Sequence, residues 1–131
     1  MADLPVKPKL KMTLDEVTAR FFHCRDQVHM WHFQTALYAE HIALGKFYEE
    51  FLEQADEIVE CWQGHSGVRV KISTPSQLGN YNGSKEVIAY IKAEMAYIME
   101  VRKNCPYPEV QNLLDAMTAT CSRTLYLLSL E

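Results

Sequence analysis

Residues 36–62, ALYAEHIALGKFYEEFLEQADEIVECW, decide the fold. Leu37, Leu44, Phe47, Phe51, Ala55, Ile58 and Trp62 recur at helical spacing on one side, while Glu49, Glu50, Glu53 and Glu57 fall mostly on the other. That pattern is the apolar stripe of an amphipathic helix lying on a core. Upstream, Val17, Phe21, Cys24, Val28 and Trp31 repeat it. Thr13-Leu-Asp-Glu16 is a capping box that starts this earlier helix near Leu14. One helix running through both segments would be roughly 50 residues long, far beyond the usual range. A break is therefore expected at Phe33-Gln34-Thr35, with Thr35 as an N-cap for the second helix.

Downstream, residues 63–83 lose the helical period. They contain Gly64, Gly67, Pro75, Gly79 and Gly83, and the alternation in 68–72 finds no partner strand elsewhere, so the segment reads as an extended crossover. Ser84 can cap a third helix over about 85–104, with Val87, Ile91, Met95, Ile98 and Met99 inward. Pro108 suits the first turn of a fourth, over about 108–129, that carries Val110, Leu113, Leu114, Met117, Cys121, Leu125 and Leu128. The expected fold is all-α: a ferritin-like four-helix bundle with one long crossover between the second and third helices. Residues 1–12, with Pro5 and Pro8, form a flexible N-terminal arm, and 13–131 form the domain.

Composition narrows the function. A chain of 131 residues, 48% apolar, can bury a core without disulfides or a structural metal. A net charge of −4 argues against a general polyanion binder. Lys7, Lys9 and Lys11 are the one basic cluster and the weak candidates for contact with DNA. Cys24, Cys61, Cys105 and Cys121 show no metal-binding or disulfide spacing, so reduced thiols in a cytoplasmic protein are expected. Neither a signal peptide nor a membrane-spanning run is recognisable.

The residues with chemistry are His29, His32 and His41 around the first helix junction, and Asp56 and Glu60 near the far end of the second helix. Imidazole and carboxylate together suit first-row metals, iron or zinc. Asp56 and Glu60, four apart, share a helix face. The chain contains no Glu-x-x-His, and Glu94 and Asp115 are expected at the surface, so a di-iron centre inside one bundle is not expected. His41 and Asp56 are separated by roughly 22 Å of helix. They cannot meet within one subunit if the second helix is straight, and could meet across a two-fold axis, as two half-sites shared by two chains.

At this point the chain resembles the Dps-type mini-ferritins, the DNA-protection proteins of starved bacteria. The resemblance is carried by His29 with Trp31, by His41 twelve residues on, by Phe47-Tyr-Glu-Glu-Phe-Leu-Glu-Gln-Ala-Asp-Glu-Ile-Val-Glu60, and by Tyr107-Pro-Glu-Val-Gln-Asn-Leu-Leu-Asp115. It implies a metal site between subunits, with His29 and His41 from one chain and Asp56 and Glu60 from its mate. It further implies iron oxidised by hydrogen peroxide or dioxygen, and a homo-oligomer, in that family a dodecamer. The family has an aspartate four residues after its second histidine, where this chain has Gly45. Met30 separates His29 from Trp31, and the crossover is short for the family's extra helix. His32 is a further candidate ligand, and Trp31 a candidate electron donor near iron. The rival expectation, favoured by Gly45, is a ferritin-like scaffold or protein-interaction module without catalysis.

Overall fold

A computed structural model describes residues 12–73 and 77–131. Lys7, Lys9 and Lys11 lie outside the described residues. Four helices are present, α1 (Leu14–Gln34), α2 (Tyr38–Ser66), α3 (Ser84–Asn104) and α4 (Pro108–Leu128), with no strand among the described residues. α1 begins as the capping box requires, with the Glu16 amide donating to Thr13 Oγ1 at 3.2 Å. Pro108 opens α4 and α2 closes on left-handed Gly67, which has φ of 71°.

Two expected caps are corrected. Thr35 ends α1 instead of starting α2, its N–H donating to Trp31 O. Its hydroxyl still takes the Leu37 amide at 3.2 Å, so the chain turns between helices with no glycine or proline. Gly83 precedes α3, which already includes Ser84.

α2 packs on α1 and α4, and α3 on α4, whereas α1 touches α3 far less. Between these helices lies one core. It contains Val17, Phe21, Cys24, Val28 and Trp31 of α1, Leu44, Phe47, Phe51 and Ile58 of α2, Val87, Ile91 and Ile98 of α3, and Val110, Leu114, Met117 and Cys121 of α4. Phe51 stands edge-on to Phe21 at 5.6 Å and stacks on Phe47 at 5.4 Å. Cutting such a ring to alanine costs about 3–5 kcal/mol. Leu37 and Met99, expected inside, are 55% and 48% exposed: Leu37 precedes α2 as its extended N-cap residue, and Met99 lies off the stripe α3 turns to the core.

The described parts of the crossover are held by a row of α1 side chains. Asp15 accepts from the Lys71 amide at 2.8 Å. Gln27 donates to Gly79 O at 2.8 Å and accepts from Gly79 N at 2.7 Å. Trp31 donates to the same carbonyl at 3.1 Å, and Gln34 accepts from the Tyr81 amide at 2.7 Å. Gln27, Trp31 and Gln34 share one face of α1, and Asp15 holds the chain at the helix start, so the connection runs from the start of α1 to its end. α3 therefore starts beside the α1–α2 turn and runs in the same sense as α2.

Candidate metal centre

The α1–α2 turn gathers three histidines. His32 and His41 stack with ring centroids 3.8 Å apart and planes 17° from parallel. Each ring bonds the other's backbone: His32 Nδ1 lies 2.7 Å from His41 O, and His41 Nδ1 lies 2.7 Å from His32 O. A carbonyl only accepts, so both Nδ1 atoms donate, and Nε2 is the nitrogen at which either ring could offer a lone pair. The bonds also satisfy a helix end. His32 O is among the last carbonyls of α1, which have no amide partner within the helix.

His29 lies one turn before His32, with ring centroids 6.2 Å apart. It stacks on Tyr48 of α2 at 4.0 Å and lies 4.7 Å from Phe33. Burial in this aromatic setting, with help from Arg25, lowers its pKa below the ordinary 6.5. Trp31 faces the core and the crossover, edge-on to Tyr90 at 5.1 Å, away from the imidazole cluster.

Gly45 explains the seat of His32. A Cβ added at Gly45 would stand 2.9 Å from His32 Cε1 and 3.1 Å from His32 Nδ1. A side chain there requires the His32 ring, which bonds His41 O, to shift. The position that looks in sequence like a missing carboxylate is the floor on which an imidazole rests.

Asp56 and Glu60 are exposed on α2. With Val59 they border a groove of about 130 Å³ whose other wall is Thr18, Phe21 and Phe22 of α1, with Val70 of the crossover. Helix α2 is one unbroken element through His41, Asp56 and Glu60. The imidazoles and carboxylates therefore occupy opposite ends of the α1–α2 face. Among the described residues, no three His, Cys, Asp or Glu side chains of one chain come together closely enough to hold a metal ion.

Sequence reasoning missed a second cluster. Glu94, expected at the surface, is 1% exposed in the bundle interior, and Arg20 Nε donates to its Oε2 at 3.1 Å. Its Oε1 has no partner among the described residues. Burial raises its pKa, with Arg20 pulling the other way. The same burial pushes the Cys24 thiol well up and the Cys121 thiol up to about 12, with Glu94 adding to both shifts. Tyr90 binds His23 Nδ1 at 2.7 Å, and His23 Nε2–H donates to Gln77 O at 3.0 Å. The signal was in the spacing of Val87, Ile91, Glu94, Ile98 and Val101, which places the acid on the apolar seam. Asp115 is exposed and pairs with Arg102 at 2.6 Å.

These features define an all-α four-helix bundle with a cluster of imidazoles at its α1–α2 turn. The chain belongs to DUF5856, a family of unknown function, whose model matches residues 32–128. The matched span takes in His32, His41, Gly45, Asp56 and Glu60. No curated protein and no solved structure matches the chain.

Proposed function

We propose that this protein is a metal-binding homo-oligomer of ferritin-like topology whose site is completed between two chains. His29 and His41 of one chain and Asp56 and Glu60 of another would bind ferrous iron as cargo, for oxidation by hydrogen peroxide or dioxygen. The observation that carries the reading is the division of the α1–α2 face. It holds imidazoles with free Nε2 atoms at one end and exposed carboxylates at the other. Two such faces laid antiparallel about a two-fold axis bring each imidazole end to a carboxylate end, giving two equivalent sites. The apolar residues on this face support a covering partner: Phe22, Phe33 and Ile42 are each more than half exposed.

The donor set also suits zinc. A dodecamer, a cytoplasmic location and DNA contact through Lys7, Lys9 and Lys11 are further proposals; the dodecamer rests on the Dps resemblance alone. No helix among the described residues is long and apolar enough to cross a membrane. A scaffold without metal would share the apolar face, and metal binding separates the two readings.

The test is solution mass followed by anaerobic ferrous titration and addition of oxidant. Wild type should be a dimer or larger and should bind and oxidise iron. His41→Ala and Asp56→Ala should each fail. Mixed and reassembled, the two variants should recover about a quarter of the sites, since half the dimers are mixed and each mixed dimer keeps one complete site. A monomer, or equal oxidation by all three proteins, would sink the reading.

A further inference from the structure

The stacked pair of His32 and His41 is not a chelate. An imidazole binds a metal through a lone pair in the plane of its ring, at about 2.1 Å. Two planes 3.8 Å apart and only 17° from parallel converge far beyond that distance, so one ion cannot bond both rings. One ring is left to bind while the other braces it. The Gly45 seat identifies the brace: His32 lies on the α2 backbone, with Nε2 3.8 Å from where a Cβ would stand. The brace acts through the backbone bonds. His32 O takes the Nδ1 proton of His41, the arrangement that fixes tautomer and orientation in histidine ligands.

We propose that His32, seated on Gly45, is a positioning residue that makes His41 Nε2 the coordinating atom and gives this half-site an imidazole-only character. This rests on the intersubunit metal reading above. The completed site, with Asp56 and Glu60 from the other chain, then favours borderline divalent cations such as zinc and cobalt, relative to manganese, more than it would with a carboxylate at position 45. The space a short carboxylate would need on α2 beside His41 is filled by the His32 ring.

The experiment pairs a metal-free measurement with a metal titration on the full chain. Long-range proton–nitrogen correlation spectra of the metal-free protein report which ring nitrogen carries the proton. His32 and His41 should both be in the Nδ1–H form. Cobalt(II) and manganese(II) are then titrated into wild type, His32→Gln and Gly45→Asp, each checked for helix content. His32→Gln should lower cobalt affinity about ten- to a hundred-fold. Gly45→Asp should displace His32, weaken cobalt and strengthen manganese. An Nε2–H form of His41 in the metal-free protein overturns the brace whatever the metals do. An unchanged cobalt-to-manganese preference in folded Gly45→Asp overturns the selectivity. The expected tautomers with no cobalt bound by oligomeric wild type would instead refute the intersubunit metal reading, and the selectivity with it.

Discussion

Removing either partner of the Arg20–Glu94 pair should have very different consequences. The carboxylate is 1% exposed and the guanidinium 42% exposed. Arg20→Ala leaves a buried carboxylate whose Oε1 has no partner among the described residues and whose Oε2 loses the Arg20 donor at 3.1 Å. Stranding one member of a buried pair costs about 3–5 kcal/mol. The lost contact of the guanidinium with Tyr97, 3.9 Å from the ring centroid, adds about 0.5–1 kcal/mol. Glu94→Gln removes the buried charge, keeps an oxygen for Arg20 and leaves the guanidinium half in water, so its cost should be about 1 kcal/mol or less.

The sign of the pH dependence follows from Glu94. Its pKa in the folded protein is raised above the ordinary 4.5, so the unfolded chain gives up the proton first. Its contribution to stability is therefore fully present in acid and is lost as pH rises through the folded value. Arg20→Ala removes the main influence holding that value down, so the variant's deficit should be larger at pH 8 than at pH 5. Urea unfolding followed by Trp31 and Trp62 fluorescence measures both effects. Equal losses for the two variants, or an Arg20→Ala deficit that grows as pH falls, would refute this account.

Three further outcomes are expected. Gln27→Leu removes the acceptor of the Gly79 amide, while Trp31 still donates to the Gly79 carbonyl, and should cost about 1 kcal/mol in urea unfolding, with faster exchange of the Gly79 amide proton. In an NMR titration His29 should take up its proton below the ordinary 6.5, so its share of stability is present at neutral pH and is lost as pH falls through that lower value; His29→Asn should flatten this part of the acid dependence. A thiol reagent should modify half-exposed Cys61 first, because Cys24, Cys105 and Cys121 are buried and burial raises each of their pKa values.

The bundle was legible because its apolar stripes are regular: every α1 residue expected inside, from Val17 to Trp31, is buried. The α1–α2 break was legible only from length, since the features that make it, the Thr35 hydroxyl and the His32–His41 pair, are contacts across the turn. Glu94 was misread because residue type outweighed position. A carboxylate on an apolar seam looks like an error until an arginine on another helix is known to reach it. Gly45 was misread for a related reason. A missing side chain has no visible purpose in sequence, and its use appears only when a ring from another helix is found resting there. The candidate site stayed divided because the unbroken length of α2, already visible in its pattern, keeps His41 from Asp56.

The row of α1 side chains that holds the crossover also sets an order of events. Gln27 and Gly79 are 52 residues apart in the chain, whereas His32 and His41 are nine apart. Closing the longer loop has the larger entropic cost and depends on more of the chain being in place. Loop entropy thus favours forming the helical hairpin with its imidazole pair before the crossover docks. A growing chain would carry the ordered histidines of its candidate site before the bundle beneath them had closed.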